Sequence, residues 1–385
     1  MVGAGIIGLS CAWRLAERDL AVTVVDRRGP GAGASSVAAG MLAPVGEASW
    51  GEERLLELNL ASARMYPEFA SELEAAAQLP VPYRQCGALH VAADRDEASE
   101  LRRRIELYRR HSLETSWLSP SACRDLEPSL APDVGPGLFA AQEAEVDPRA
   151  TLDALARACE RAGVDLLTGA VTDLRTAEAV KGVVLEDGRR LTCSTVLAAT
   201  GAWSGLDSWL PDGARPPVRP VKGEVVRLRS PADRPVIGRI VASERVYLVP
   251  RVNDELVVGA TVRERGFDLS VTAEGVHELL REAYRIVPET AELEFVEARA
   301  GLRPGTPDNA PVIGRAGPDG LIVATGHYRN GILLAPITAE IARSLVLGEA
   351  VRPVGRDLGP ERFGEVHSPA GEARGKRAVA VSDAR

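Results

Sequence analysis

Lysine is almost missing from this chain: Lys181, Lys222 and Lys376 are the only three among 46 basic residues. In so arginine-heavy a sequence, a lone arginine is weak evidence for a forked ligand contact unless its neighbours add something. Cysteine is also scarce. Cys11, Cys86, Cys123, Cys159 and Cys193 are odd in number and far apart, and none forms a C-x-x-C pair, which excludes a disulfide framework and a zinc site of cysteines. The five histidines show no metal-ligand spacing, and no metal is expected. No apolar run approaches the roughly 20 residues that cross a bilayer. No basic stretch precedes a hydrophobic one at the N-terminus, so a cytoplasmic location is expected. Excess positive charge is absent too: a net charge of -8 argues against a nucleic-acid partner.

What remains is a globular composition, 45% hydrophobic over 385 residues, enough for two domains or one two-lobed one. The chain opens on "MVGAGIIGLS", whose Gly3, Gly5 and Gly8 fit G-x-G-x-x-G. In that fingerprint the first glycine makes a tight strand-to-helix turn, the second admits a pyrophosphate, and the third lets helix pack on strand. A helix-period run from Ile6 to Ala16 follows, then the apolar strand "LAVTVVD" ending in Asp26, eighteen residues beyond Gly8. An acid near that offset takes the ribose hydroxyls of an adenosine, and the pyrophosphate sits on the helix N-terminus. Only Met1 and Val2 are available for the strand that should come first, against about five or six residues in a usual strand. An upstream in-frame stretch carrying the missing β-branched residues is therefore expected.

Further along, the pattern predicts a long helix from Arg54 to Gln78, a strand in "GALHVAAD", a charged amphipathic helix in "ASELRRRIELYRRHS" and a short capped one in "SPSACRDLEPSL". Asp147 as N-cap and Pro148 at the first helical position open "RATLDALARACERAG", which Gly163 closes. A polar hairpin and the buried strand "STVLAATG" return the chain to the first sheet. From about Pro216 to Ala300 the reading is β-rich, with a hairpin around Asn253 and Asp254 and the helix "TAEGVHELLREAYRIVP". After "LIVATG", Asn330 and Gly331 are expected to open the last helix, with its dipole facing a ligand. The fold class is α/β: a Rossmann-like dinucleotide domain with a truncated first strand (1–75, 140–215 and 301–350), interleaved with an antiparallel-sheet-plus-helices substrate domain (76–139 and 216–300). Residues 365–385 are expected to be a disordered tail. "LAATG" and "LIVATG" read as further strand-to-loop crossings over a long dinucleotide, a layout that suits FAD better than NAD.

Seven strings in register, "VGAGIIGLSCAWRLA", "ASSVAAGMLAP", "VLAATGAWS", "PVKGE", "YLVPR…LVVGAT", "AGLRPGTPDNAPVIGR" and "ATGHYRNGILLAP", resemble glycine oxidases of the thiamine-biosynthesis type, within the D-amino acid oxidase group of flavoenzymes. The resemblance runs to about Glu349. It implies FAD held by Gly3, Gly5, Gly8, Asp26, Ser35, Ser36, Ala39, Gly40, Met41, Val171, Thr200, Gly201, Trp203, His327, Asn330, Gly331 and Ile332. Physically, Ser35 and Ser36 offer hydroxyls to phosphate, while Ala39–Met41 let backbone lie against a flat ring; the alternative on composition alone is a flexible small-residue loop. His327 is as compatible with a satisfied loop histidine as with a flavin contact. Arg303 resembles the family's carboxylate-binding arginine, Tyr247 the phenol that shares that carboxylate, and Arg329 a second arginine near carboxylate and flavin, or else a salt bridge over the site. The implied reaction moves hydride from the α-carbon of glycine, sarcosine or a small D-amino acid to flavin N5. Imine, glyoxylate, ammonia and hydrogen peroxide follow, and glycine imine feeds thiazole synthesis. No obligatory base stands out, so catalytic residues are left unassigned. With no cysteine after Cys193, the C-terminal cysteinyl linkage of sarcosine oxidase relatives is ruled out and FAD is expected to be non-covalent. The partners are a small amino acid and oxygen, and the family suggests a homotetramer. The alternative is a D-amino acid dehydrogenase passing electrons to a quinone; the readings from other classes are an NAD-linked dehydrogenase and a flavin-loaded or empty interaction protein.

Overall fold

The computed structural model describes residues 1–231 and 234–364; the tail expectation for 365–385 lies outside the described residues. The central sheet is assembled from distant parts of the chain. Thr23–Asp26 pairs in parallel with Asp165–Thr168, and Val196–Ala198 pairs in parallel with Leu321–Thr325, which Val312–Arg315 flanks antiparallel. Between the two parallel pairs sits Val2 alone, bridged to Val25 on one side and Ala198 on the other. Val25 N–H donates to Met1 O, Gly3 N–H to Val25 O, Val2 N–H to Leu197 O and Ala199 N–H to Val2 O, all at 2.7–2.9 Å. Met1, Val2 and Gly3 thus join the halves of the sheet, as the expected truncated first strand.

Helix Ile6–Ala16 spans the residues its periodicity predicts. Helix Pro148–Arg161 forms as read: the Asp147 carboxylate accepts from Arg149 and Ala150 N–H groups at 2.8 and 3.3 Å, and Pro148 starts the first turn without an orphan donor. These helices pack through Leu9, Cys11, Trp13, Leu155 and Cys159, with Phe69 of the long helix Glu53–Ala77 edge-on to Trp13 at 5.6 Å. Each fully buried large apolar side chain contributes about 1.5–3 kcal/mol.

The second sheet has eight strands in the order Glu294–Gly305, Arg219–Arg229, Glu255–Gly259, Tyr247–Pro250, Ile240–Ala242, Ala88–Val91, Gly137–Ala140 and Ser116–Leu118. All pairs are antiparallel except Ile240–Ala242 with Ala88–Val91. Alternation divides its faces. Val226, Leu228, Leu248 and Val258 pack under helix Ala273–Ile286, while Val225, Val249 and Val257 share the opposite core with Ala39. One domain boundary needs correcting: residues 301–305, assigned to the dinucleotide domain, continue the strand that starts at Glu294 and belong to this sheet. The last helix also differs from expectation. It runs Ala335–Leu347, because Pro336 occupies its first turn and Asn330–Leu334 forms tight turns before it, with Leu334 N–H bonded to Asn330 O at 2.8 Å.

Candidate active site

A cleft of about 260 Å³ runs between the two sheets. At one end Gly3 adopts φ +104°, and a Cβ there would lie 2.4 Å from Ala199 O. Asp26 draws the turn tight: its carboxylate accepts Ala4 N–H at 2.9 Å, and Arg28 and Gly29 N–H at 2.8 and 3.1 Å. Ser35 Oγ accepts Ile6 N–H at 3.1 Å, satisfying a donor at the start of the first helix. The loops after the two glycine-ended strands are bonded together. Ser204 Oγ lies 3.0 Å from Thr200 Oγ1 and 2.7 Å from Thr325 Oγ1, and Thr200 also donates to Asp207, whose buried carboxyl is held above the usual range mainly by desolvation. Trp203 closes this end under the guanidinium groups of Arg27 and Arg28, 5.2 and 5.3 Å from its ring centre.

Midway, Gly40 turns at φ +70°, and a Cβ would meet Val146 O at 2.0 Å. At the far end two side chains from the large sheet converge over glycines. A Cβ on Gly223 would fall 2.2 Å from Arg303 Nη1 and one on Gly259 2.4 Å from Tyr247 Oη, so the guanidinium and phenol lie directly on bare backbone. Arg303 Nη1 donates to Thr261 O at 3.1 Å and Lys222 O at 3.5 Å. Burial pushes the Tyr247 phenol up, with Arg303 beside it partly opposing, so its O–H stays protonated at neutral pH. Arg329 pairs with Glu47 at 3.1 Å across the mouth of the same cleft.

The cleft brings together every candidate named from sequence except two. Gly8 stands behind the turn: a Cβ would press to 1.9 Å from Gly3 O, so it serves helix-on-strand packing, the third-glycine role, without lining the cleft. Ser36 turns away and donates to Gly33 O at 3.2 Å. His327 is buried in the wall with Nε2 2.9 Å from Thr338 Oγ1, and desolvation lowers its pKa to about 3, so it is neutral. Sequence reasoning missed Glu47, Gly223, Gly259 and Asp207. The glycines in "KGE" and "VVG" carried a signal, since a glycine inside a strand often marks close approach by another group. Among the described residues no group of acidic, histidine or cysteine side chains is gathered for a metal, and none of the five cysteines lines the cleft. Among the described residues no helix is long and apolar enough to cross a membrane.

One end is therefore a tight glycine turn at a helix start and the other a guanidinium and a phenol side by side, joined by a groove of backbone and small residues. The sequence model of the DAO family, FAD dependent oxidoreductase, matches residues 1–345. The chain belongs to this family of FAD-dependent oxidoreductases. This oxidoreductase is 35% identical over 353 residues to the glycine oxidase of Geobacillus kaustophilus, covering 90% of this chain and 92% of that one. The crystal structure of glycine oxidase from that organism superposes with a TM-score of 0.85 at 33% identity, covering 91% and 94% of the two chains. It is also 34% identical over 369 residues to the bifunctional protein ThiO/ThiG of Synechocystis sp., covering 94% of this chain but 53% of that protein, so it spans about half the length of such relatives. FAD fits the residues present. Gly3 and Gly5 with the helix start would take its pyrophosphate, Asp26 its ribose, and the backbone of Ala39–Met41 and the Asn330–Ile332 turns its ring.

Proposed function

We propose that this oxidoreductase oxidises glycine, and with it sarcosine or small D-amino acids, at the C–N bond. Glycine, oxygen and water give glyoxylate, ammonia and hydrogen peroxide through an imine that can also be passed to thiazole synthesis for thiamine. The observation that carries the reading is the pairing of Arg303 and Tyr247 over Gly223 and Gly259 at the end of the cleft away from the nucleotide turn. FAD, when bound, supplies the two-electron acceptor. Arg303 holds the substrate carboxylate through charge-assisted hydrogen bonds and Tyr247, kept protonated by burial, donates to the same group. Together they fix the α-carbon, so the chain's part is orientation and water exclusion, with no side-chain base required. Arg329 and Glu47 close the mouth. The names of the glycine oxidase and ThiO/ThiG relatives support the substrate and the pathway.

The test is the visible spectrum of the purified FAD-loaded protein before and after anaerobic glycine. Bleaching that oxygen reverses, with peroxide released, is the expected result. A band indifferent to glycine but bleached by sarcosine or a D-amino acid moves the substrate. Bleaching that only an artificial quinone reverses moves the acceptor.

A further inference from the structure

Arg251 follows the strand that carries Tyr247, and its side chain is buried to 2% exposure against a short antiparallel ladder, Met41–Leu42 with Ala144–Val146. Its guanidinium donates from Nη1 to the Glu145 carboxylate and, at 3.0 Å, to Val146 O, and from Nη2 to Ala39 O. Ala39 and Val146 are the carbonyls on either side of the Gly40 contact: Val146 N–H donates to Gly40 O at 3.0 Å, and Gly40 has no room for a Cβ against Val146 O. Glu145 in turn pairs with Met41 in the short ladder and accepts from Arg84 at 3.2 Å. A second arginine works on the same loop from another side, Arg149 Nε donating to Ser36 O at 3.1 Å.

We propose that Arg251 is a positioning residue of the cofactor site. Its fork clamps Ala39 to Val146 and so presents the Ala39–Met41 backbone to FAD in its bound shape before FAD arrives. A buried guanidinium is costly, and an ion pair with Glu145 would need only one of its nitrogens; the two backbone carbonyls explain why a planar fork is used. Because the strand Tyr247–Pro250 leads directly into Arg251, one element sets both the cofactor loop and the phenol of the substrate end. The inference concerns the cofactor, whatever amine is oxidised, and its readout is independent of substrate.

Arg251→Lys keeps the charge opposite Glu145 and loses the fork. The Kd of FAD for the deflavinated enzyme, from quenching of flavin fluorescence, should rise about 5- to 100-fold. The thermal midpoint of the FAD-free protein should stay within about 3 °C, since the ion pair survives. Wild-type affinity in Arg251→Lys would overturn the proposal, leaving Arg251 as a counter-ion only. Should the variant not fold, hydrogen exchange on FAD-free wild type decides. Slow exchange at Val146 N–H, which bonds Gly40 O, supports a preformed cradle; exchange at the rate of an unstructured peptide overturns it.

Discussion

The end of the cleft proposed to hold the nucleotide and the end proposed to hold the substrate are built by different strategies. At the nucleotide end, Gly3, Gly8, Asp26 and Ser35 come from one short run of chain and satisfy one another: Asp26 takes Ala4 N–H, Ser35 takes Ile6 N–H, and Gly8 leaves room for Gly3 O. At the substrate end, Arg303, Tyr247, Gly223 and Gly259 come from four strands and meet only because those strands are registered. Val221 faces Arg303 across one ladder and Tyr247 faces Gly259 across another. Local construction ties binding to folding. Long-range construction lets a side chain change with little effect on the scaffold, so substitutions at the two ends should fail in different ways.

The largest effect should come from the nucleotide end. Gly8→Val forces a branched side chain against Gly3 O, where even a Cβ would sit at 1.9 Å, and should give protein with no flavin band and a thermal midpoint lower by about 10 °C or more, read by absorbance and calorimetry. A yellow, stable variant would break the contrast. At the substrate end, Arg303→Met should keep the flavin band while kcat/KM for glycine falls on the order of 100-fold or more. Tyr247→Phe, which removes the hydrogen bond proposed to the substrate carboxylate, should cost about tenfold, mostly in KM. Loss of flavin from either would show that the two ends are not separable.

A smaller effect concerns the shared wall. His327 titrates at about 3 in the folded protein against an ordinary value near 6.5, so the unfolded chain binds the extra proton between those limits. Its contribution is present above about pH 6.5 and is lost as pH falls toward 3. His327→Gln should therefore flatten the acid side of the stability–pH curve in that window, followed by thermal midpoints from pH 7 to 4. The smallest effect is expected at the mouth. Glu47→Gln removes the partly exposed pair with Arg329 and should alter glycine KM less than about fivefold, with the flavin band unchanged.

The uneven legibility of the two ends follows from the same construction. The glycine turn, the helix Ile6–Ala16, the Asp147–Pro148 cap and Asp26 are encoded by neighbours, and spacing alone predicts them. Arg303 and Tyr247 stood out only through resemblance, because in an arginine-rich chain neither is distinctive. Glu47 went unseen, since nothing near it in sequence indicates Arg329. That few residues precede the glycine turn was visible in the sequence, but not that Val2 would bridge both halves of the sheet.

By itself, the sequence determined that this chain makes a dinucleotide-binding α/β fold, because turn, cap and periodicity are short-range properties of the backbone. Tertiary structure alone decided that Ser36 turns off the cleft and which residues face one another across it. Those outcomes depend on strand register and on which surfaces are left to pack, and both are set by segments that are not neighbours in sequence.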